Sequence, residues 1–178
     1  MSVGELIFFD TFDSETVGAF PSTWTSVVSP PGGRIYVTNN VGAPTVPNAF
    51  QLGNAVANQD YTLRRDFPPY SLNTTSQLVV NYSLNVSLIP SDGFSGFVIV
   101  PANLPTQGEE TFAAIRVYKG SSPGTWLVQN FYDGLVTNNL ALNGWHDFRF
   151  EIDPSSTNAQ NGVVRWYIDN NFVHAENF

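Results

Sequence analysis

Aromatic rings that stand beside amide and carboxylate side chains are the most frequent source of chemistry in this sequence. Sugar-binding sites combine both kinds of group, because a ring stacks on the apolar face of a pyranose while amides and carboxylates bond its hydroxyls. One such ring follows a Gly/Pro/Ser turn in the stretch SSPGTWLVQNFYDG, and a second lies beside Thr38 and Asn39. The predicted carbohydrate-binding residues are Trp126, Gln129, Asn130, Tyr132, Asp133 and Tyr36. The alternative interpretation places these rings in a β-sheet core, as we expect for Trp24 and Trp145.

Two carboxylates on one strand face would be needed for glycoside hydrolysis, at a separation of about 5–9 Å. The nearest pattern is Glu151-x-Asp153, which Pro154 terminates before a third acid can follow. Glu109 and Glu110 are adjacent, so in a strand they point to opposite faces. We therefore interpret Glu151 and Asp153 as a solvated strand face, and the sequence favours a non-catalytic protein over an enzyme.

Other chemistries have little local support. The sequence contains no cysteine, which excludes disulfides, thiolate metal sites and cysteine nucleophiles. His146 and His174 belong to no metal-binding pattern, and no phosphate-binding loop, dinucleotide fingerprint or serine-hydrolase elbow occurs. Nucleotide chemistry and serine hydrolysis are therefore not indicated.

The charge balance bears on partners. Fifteen acidic residues against seven basic ones give a net charge of −8, and the longest basic run is the pair Arg64-Arg65. Such a chain is not expected to bind nucleic acid or anionic lipid, because both attract basic surfaces. No apolar run approaches the roughly 20 residues of a membrane helix, so no membrane insertion is expected. Only 12% of the residues are charged, so amides and hydroxyls must supply much of the polar surface.

The elements that would position these side chains are strands. In QLVVNYSLNVSLI, the residues Val80, Tyr82 and Leu84 alternate with Asn81 and Ser83, which is the period of two that a half-buried strand shows. Ten further segments are predicted as strands by composition and by the Gly, Pro and Asn turns between them. These segments are 5–12, 34–40, 49–54, 61–67, 94–101, 111–119, 125–133, 145–153, 163–169 and 172–176. The pattern predicts one all-β domain over 1–178, an antiparallel β-sandwich or jelly roll.

Both ends of the sequence resemble concanavalin A-like, laminin-G-like jelly-roll domains. The opening stretch FFDTFDSETVGAFPSTW matches their N-terminal signature at Asp10, Phe12, Asp13, Gly18, Pro21 and Trp24. Near the end, Trp145 opens a strand, and GVVRWYIDNNFV is similar to the family's hairpin with a Val-Asp-Gly turn. Asn170 stands where that turn often carries glycine, and asparagine tolerates the positive φ required there.

The resemblance implies the concanavalin A-like jelly roll and several properties found in that family. Some members hold Ca²⁺ near the chain ends through carboxylates and carbonyls, for which Asp10, Asp13 and Asp169 are the candidate ligands here. Nothing is spaced like a Ca²⁺ loop, so ordinary solvated acids are the alternative. Other members are glycoside hydrolases or polysaccharide lyases, although the lyase constellation of Tyr, His, Arg and Gln is not recognisable here.

Family members usually continue past this hairpin into one or two more strands, whereas this sequence stops at Phe178. Three alternatives follow: a missing tail, an open sheet edge near Leu6–Phe12 that a neighbouring subunit completes, or a sheet that is already complete. The opening MSVGELIFFD has neither a basic region nor a long apolar core, so it is not a signal peptide. We expect an extracellular or virion-surface protein, released after signal removal or by another route such as lysis.

Two functions of different kinds remain. The first is a non-catalytic, lectin-like module that binds a glycan or cell-surface polysaccharide at a cell or particle surface. The second is a structural subunit of a virion, filament or surface layer that self-associates through the open sheet edge. The aromatic and amide content favours the first function, and the low charge favours the second.

Overall fold

The computed structural model describes residues 6, 9–28, 34–39, 42, 48–53, 62–65, 75–87, 94–99, 113–130, 134, 139–154 and 162–177. Within these ranges the protein is all-β: every strand pairing is antiparallel, and no helix occurs. The strands are β1 (Thr25–Val28), β2 (Arg34–Asn39), β3 (Asn48–Gly53), β4 (Thr62–Arg64), β5 (Leu78–Asn85), β6 (Phe94–Ile99), β7 (Ala113–Lys119), β8 (Thr125–Asn130), β9 (Leu140–Ala141), β10 (Trp145–Pro154), β11 (Gly162–Ile168) and β12 (Asn171–Asn177).

The chain separates into two compact units, residues 1–70 and residues 71–178, and each is described by itself. The prediction of a single domain over 1–178 stays a prediction. In the N-terminal unit, β1 pairs with β4 and β2 pairs with β3. The loop before β1 is bonded to β2, because Gly18 N–H donates to Val37 O at 2.8 Å and Val37 N–H donates to Ala19 O at 2.8 Å. Val37 is fully buried in this unit.

The C-terminal unit contains two four-stranded sheets. One has the order β12-β11-β10-β5, and the other has the order β6-β7-β8-β9. The alternation predicted in β5 is confirmed, because Val80, Tyr82 and Leu84 pack against the core while Val79 and Asn81 are exposed. The strand forms because its branched and aromatic side chains fill one face of a pleated sheet while polar groups occupy the other.

Side chains from both sheets share one core. The buried members of this core are Val86, Val117, Trp126, Val128, Phe148, Phe150, Ile152, Val164, Trp166 and Ile168. Aromatic side chains contact one another across neighbouring strands: Phe150 meets Trp166 edge-to-face at 5.1 Å between ring centroids, and Tyr82 stacks on Phe148 at 5.0 Å. Burying a side chain of this size contributes about 1.5–3 kcal/mol, so these rings supply much of the unit's stability.

The hairpin between β11 and β12 has the predicted turn. Ile168 pairs with Asn171, so Asp169 and Asn170 form a two-residue loop with φ values of 52° and 63°. Two consecutive positive φ values define the type I′ turn, whose twist matches that of the flanking strands. The expectation that Asn170 would tolerate positive φ is confirmed.

Strand predictions were wrong in three places. The segment 5–12 was predicted as a strand, but its residues Phe9, Asp10, Thr11 and Phe12 are not in a strand, and Phe12 has a φ of 61°. The two short strands β1 and β9 were not predicted. In each case the local sequence is a poor guide, because a strand exists only where a partner backbone supplies its hydrogen bonds.

Candidate functional site

Trp126 does not form the exposed sugar platform that was predicted. Its side chain is 0% exposed and lies in the shared core, where its ring contacts Phe148 at 6.1 Å and His146 at 5.6 Å between centroids. The indole N–H donates to Ala141 O at 3.0 Å, which joins β8 to β9. The inward face of β8 carries Trp126, so protein atoms already cover its ring.

The polar residues predicted around Trp126 do not converge on one surface. Asn130 is buried, and its amide donates to the Glu176 carboxylate and lies 3.3 Å from His174 Nε2, which ties β8 to β12. Gln129 is on the opposite face of β8 and is only partly buried. Tyr132 and Asp133 lie outside the described residues. Asn130 is therefore a buried structural amide rather than part of an open sugar site.

Tyr36, the second predicted ring, lies on β2 of the N-terminal unit, where it pairs with Gln51. Its side chain is partly buried. Trp24 and Trp145, which were expected in the core, are also only partly buried. The contribution of Tyr36 to binding stays a prediction, and the core positions expected for Trp24 and Trp145 are met only in part.

Asp10, a predicted calcium ligand, uses both carboxylate oxygens within its own loop. Oδ1 accepts from Phe12 N–H at 2.8 Å, and Oδ2 accepts from Trp24 Nε1–H at 2.8 Å. These bonds connect three of the residues on which the resemblance at the start of the sequence rests. The carboxylate is thus committed to positioning Trp24, an arrangement that stabilises the loop without any ion.

Asp13 and Asp169 complete the predicted calcium set. Asp13 Oδ1 accepts from Asn48 N–H at 3.4 Å in the N-terminal unit, whereas Asp169 pairs with His146 in the C-terminal unit. Among the residues that the structure describes, no group of three or more His, Cys, Asp or Glu side chains could hold a metal ion. The calcium site stays a prediction.

Glu15 organises the same N-terminal loop. Its carboxylate accepts from Ser22 N–H at 3.0 Å, from Ser22 Oγ–H at 3.1 Å and from Thr23 Oγ–H at 3.3 Å. The bond from Ser22 N–H is the main cause that lowers the pKa of Glu15, because hydrogen bonds favour the charged carboxylate. The loop therefore presents carboxylates that are already bonded to protein donors.

A different set of side chains forms the strongest candidate site, on the outward face of the sheet β12-β11-β10-β5. We call Arg149, Glu151, Tyr167 and Phe172 the outer-face cluster. The Arg149 guanidinium lies over the Tyr167 ring, 5.1 Å from its centroid, and donates to Glu151 Oε1. Tyr167 Oη–H donates to Glu151 Oε2 at 3.1 Å. One buried carboxylate therefore holds both the guanidinium and the phenol in place.

Phe172 completes the outer-face cluster with an accessible ring. Its side chain is 59% exposed, and its ring meets Tyr167 edge-to-face at 5.7 Å between centroids. Phe172 directly follows Asn171, whose Nδ2 donates to Asp169 O at 3.0 Å at the hairpin turn. The two-residue turn sets the pairing of Ile168 with Asn171 and of Tyr167 with Phe172, and the bulge beyond this pair shifts the register so that Trp166 pairs with His174.

Both guanidinium groups at the outer-face cluster are paired with carboxylates. Arg165 Nη1 donates to Asp153 Oδ2 at 3.0 Å, so a second guanidinium is paired with a second carboxylate on the same face. The pKa of Tyr167 is raised, first by partial burial and then by the hydrogen bond and negative charge of Glu151. The phenol consequently stays protonated and donates to Glu151 across the neutral pH range.

The arrangement of Glu151 and Asp153 differs from what sugar hydrolysis needs. The expectation of a simply solvated face is only partly correct, because Glu151 is 9% exposed and is bonded to Arg149 and Tyr167. A glycosidase requires one carboxyl group that carries a proton to the leaving group. Here each carboxylate is paired with a guanidinium, which suits a fixed binding surface better than proton transfer.

Sequence reasoning missed Arg149, Tyr167 and Phe172 as site residues. The period of two in WHDFRFEID and VVRWYID indicates that Arg149 and Glu151 share one face and that Arg165 and Tyr167 share another. Only the pairing of Arg149 with Tyr167, and of Tyr167 with Phe172, shows that these faces are the same surface.

Comparison with protein-family models, with curated proteins and with solved structures finds no match to this chain. Among the described residues, no helix has the length and apolar character required to cross a membrane.

Proposed function

We propose that the protein is a non-catalytic, lectin-like glycan-binding module that acts at a cell or particle surface, and that the outer-face cluster is its sugar-binding surface. The observation that carries the proposal is the exposed Phe172 ring, held beside Tyr167 and Arg149 on a rigid antiparallel sheet. An accessible ring next to fixed hydrogen-bonding groups is the combination that pyranose recognition uses.

The parts of the outer-face cluster have separate tasks in this proposal. Phe172 offers an apolar surface to the C–H groups of a sugar ring. Arg149 and the exposed amide of Asn171 supply donors for hydroxyl and ring oxygens. Glu151 acts through its neighbours rather than by contact with the sugar. It holds the Arg149 guanidinium and the Tyr167 phenol in place, so less conformational entropy is lost when a ligand binds.

We also propose the concanavalin A-like jelly roll as the fold that presents this surface. Support comes from the antiparallel sheets, from the bond between Asp10 and Trp24 within the N-terminal signature, and from the type I′ turn at Asp169 and Asn170. The two sheets of the C-terminal unit share one core, as a sandwich requires.

Glycan-array binding followed by calorimetry on the best oligosaccharide tests the function. Phe172→Ala should weaken binding at least about 5-fold, because burying an aromatic side chain against a sugar ring contributes about 1–3 kcal/mol. Phe9→Ala is the matched control, since Phe9 is 69% exposed in the N-terminal unit. Equal affinity of wild type and the Phe172 variant, with both folded, would refute the proposed site.

A structural subunit is the second candidate function, and one observation favours it. Leu6 and Phe9 are 75% and 69% exposed in the segment that was expected at an open sheet edge, although the described residues of that segment form no strand. Large apolar groups at such positions often mark association surfaces. Light scattering at several concentrations would separate the two functions: assembly that Phe9→Ala abolishes, together with no glycan binding, would favour the subunit.

A further inference from the structure

We infer that the outer-face cluster selects uncharged glycans and discriminates against sulfated or uronic-acid-containing ones. This inference rests on the proposed function and names the ligand class of the same surface. It follows from how the two arginines of this face are paired, rather than from the overall charge of the chain alone.

Both guanidinium groups on the face already have a carboxylate partner. Arg149 donates to Glu151, and Arg165 donates to Asp153 at 3.0 Å. A sulfate or carboxylate on a ligand would have to compete with these partners. Arginine recognises such anions best by directing two parallel N–H donors at them, and donors bonded to Glu151 and Asp153 are not available for that contact.

The outward positions of β10 and β11 carry one more acid than base. Asp147, which accepts from Ser83 Oγ–H at 2.6 Å, joins Glu151 and Asp153 on the outward face, against the two guanidiniums of Arg149 and Arg165. The chain as a whole has a net charge of −8. An anionic sugar therefore approaches against a negative local potential, whereas a neutral sugar does not.

The groups left for a ligand suit neutral hydroxyls. The Arg149 side chain is 46% exposed, and a guanidinium has five N–H donors, of which the bond to Glu151 uses only part. The Phe172 ring offers an apolar face next to these donors. A pyranose with an unmodified C–H face and free hydroxyls fits both groups, whereas an added negative charge would meet a guanidinium whose positive charge Glu151 already balances.

Calorimetry of wild type with two oligosaccharide panels tests the inference. The neutral panel contains cello-, manno- and galacto-oligosaccharides, and the anionic panel contains oligogalacturonates and heparin-derived oligosaccharides. We expect neutral binding that changes less than 2-fold when the salt concentration is raised from about 0.05 to 0.5 M, with anionic ligands at least 10-fold weaker. Anionic ligands that bind as tightly as neutral ones, or more tightly, would overturn this inference but not the proposed glycan-binding function.

A variant that removes the negative charge beside Arg149 should increase the affinity for anionic oligosaccharides. Glu151→Gln removes the counter-charge of Arg149, so oligogalacturonate binding should rise at least 5-fold and become salt-dependent. Asp147→Asn is the matched control, because it removes one negative charge from the same face but leaves both arginine pairs intact; its gain should be smaller. Equal gains in the two variants would contradict a role for the pairing. No binding of any member of either panel would overturn the proposed function, and the inference with it.

Discussion

His146 Nδ1 and Asp169 Oδ2 lie 2.7 Å apart, and this pair fastens the start of β10 to the turn between β11 and β12. The backbone strengthens the same junction, because Asp147 N–H donates to Asp169 Oδ1 at 2.9 Å and Asp169 N–H donates to Asp147 O at 2.8 Å. The turn that presents Asn171 and Phe172 is thus tied to the neighbouring strand, which keeps the outer-face cluster in one arrangement.

Acid should loosen this junction. Burial raises the pKa of Asp169, but the hydrogen bonds from His146 and Asp147 N–H and the charge of His146 outweigh burial, so the pKa lies below its ordinary value of 3.8. A carboxyl with a lower pKa in the folded state contributes stability above its unfolded pKa and loses that stability as pH falls through the folded pKa. Urea unfolding from about pH 6 down to about pH 2 should show this loss.

Asp169→Asn provides the control for the acid prediction, because asparagine also tolerates the positive φ of this turn. The variant should be less stable than wild type near neutral pH, and the difference should shrink in acid. A difference between the two proteins that stays constant with pH would contradict a role for the Asp169 charge.

The turn itself is expected to be sensitive to side-chain shape at position 170. Asn170→Val should destabilise the C-terminal unit by about 1–2 kcal/mol, because a β-branched residue is strained at the observed φ of 63°. Asn170→Gly should be neutral or slightly stabilising, since glycine adopts positive φ without a steric cost. Chemical denaturation of both variants measures the difference, and equal stabilities would argue against the type I′ turn.

Trp126 and Trp166 are both buried, but their indole N–H groups differ in hydrogen bonding. Trp126 Nε1–H donates to Ala141 O at 3.0 Å, whereas the buried Trp166 Nε1–H has no acceptor within the described part of the chain. Replacing each by phenylalanine removes a similar volume, but only Trp126→Phe removes a hydrogen bond to a carbonyl, Ala141 O, which also lies 3.3 Å from His146 Nε2. We expect Trp126→Phe to be less stable than Trp166→Phe by about 1 kcal/mol in urea unfolding.

The Trp126→Phe variant also tests whether Trp126 takes part in binding. Trp126→Phe should retain glycan affinity within 2-fold as long as it is folded, because the ring is enclosed in the core and does not reach the outer-face cluster. A large loss of affinity in a folded Trp126→Phe protein would restore Trp126 as a binding residue.

The N-terminal loop should depend on Asp10 more than on Asp13. Asp10 accepts from both Phe12 N–H and Trp24 Nε1–H at 2.8 Å, whereas Asp13 accepts from Asn48 N–H at the longer distance of 3.4 Å. Asp10→Ala should raise hydrogen exchange across residues 10–24, with a local cost of about 1–3 kcal/mol, and Asp13→Ala should raise it less. Faster exchange in the Asp13 variant than in the Asp10 variant would reverse this ranking.

The sequence by itself determined the all-β class, most of the strands and the chemistry of one turn. Alternation in β5 separated Val80 and Tyr82 from Asn81, and this local signal is reliable because side chains of a strand point to opposite faces in turn. The turn at Asn170 was equally local, since asparagine is one of the few residues that accept positive φ.

Tertiary structure decided which face of each strand is inside and which side chains meet. Trp126 and Gln129 are on opposite faces of β8, but the sequence does not say which face the second sheet covers. Arg149, Tyr167 and Phe172 come together only through the registers that pair Arg149 with Tyr167 and Tyr167 with Phe172. Register depends on the packing of whole faces, and a shift by one residue would send each side chain to the other side of the sheet, so no local pattern could have identified this site.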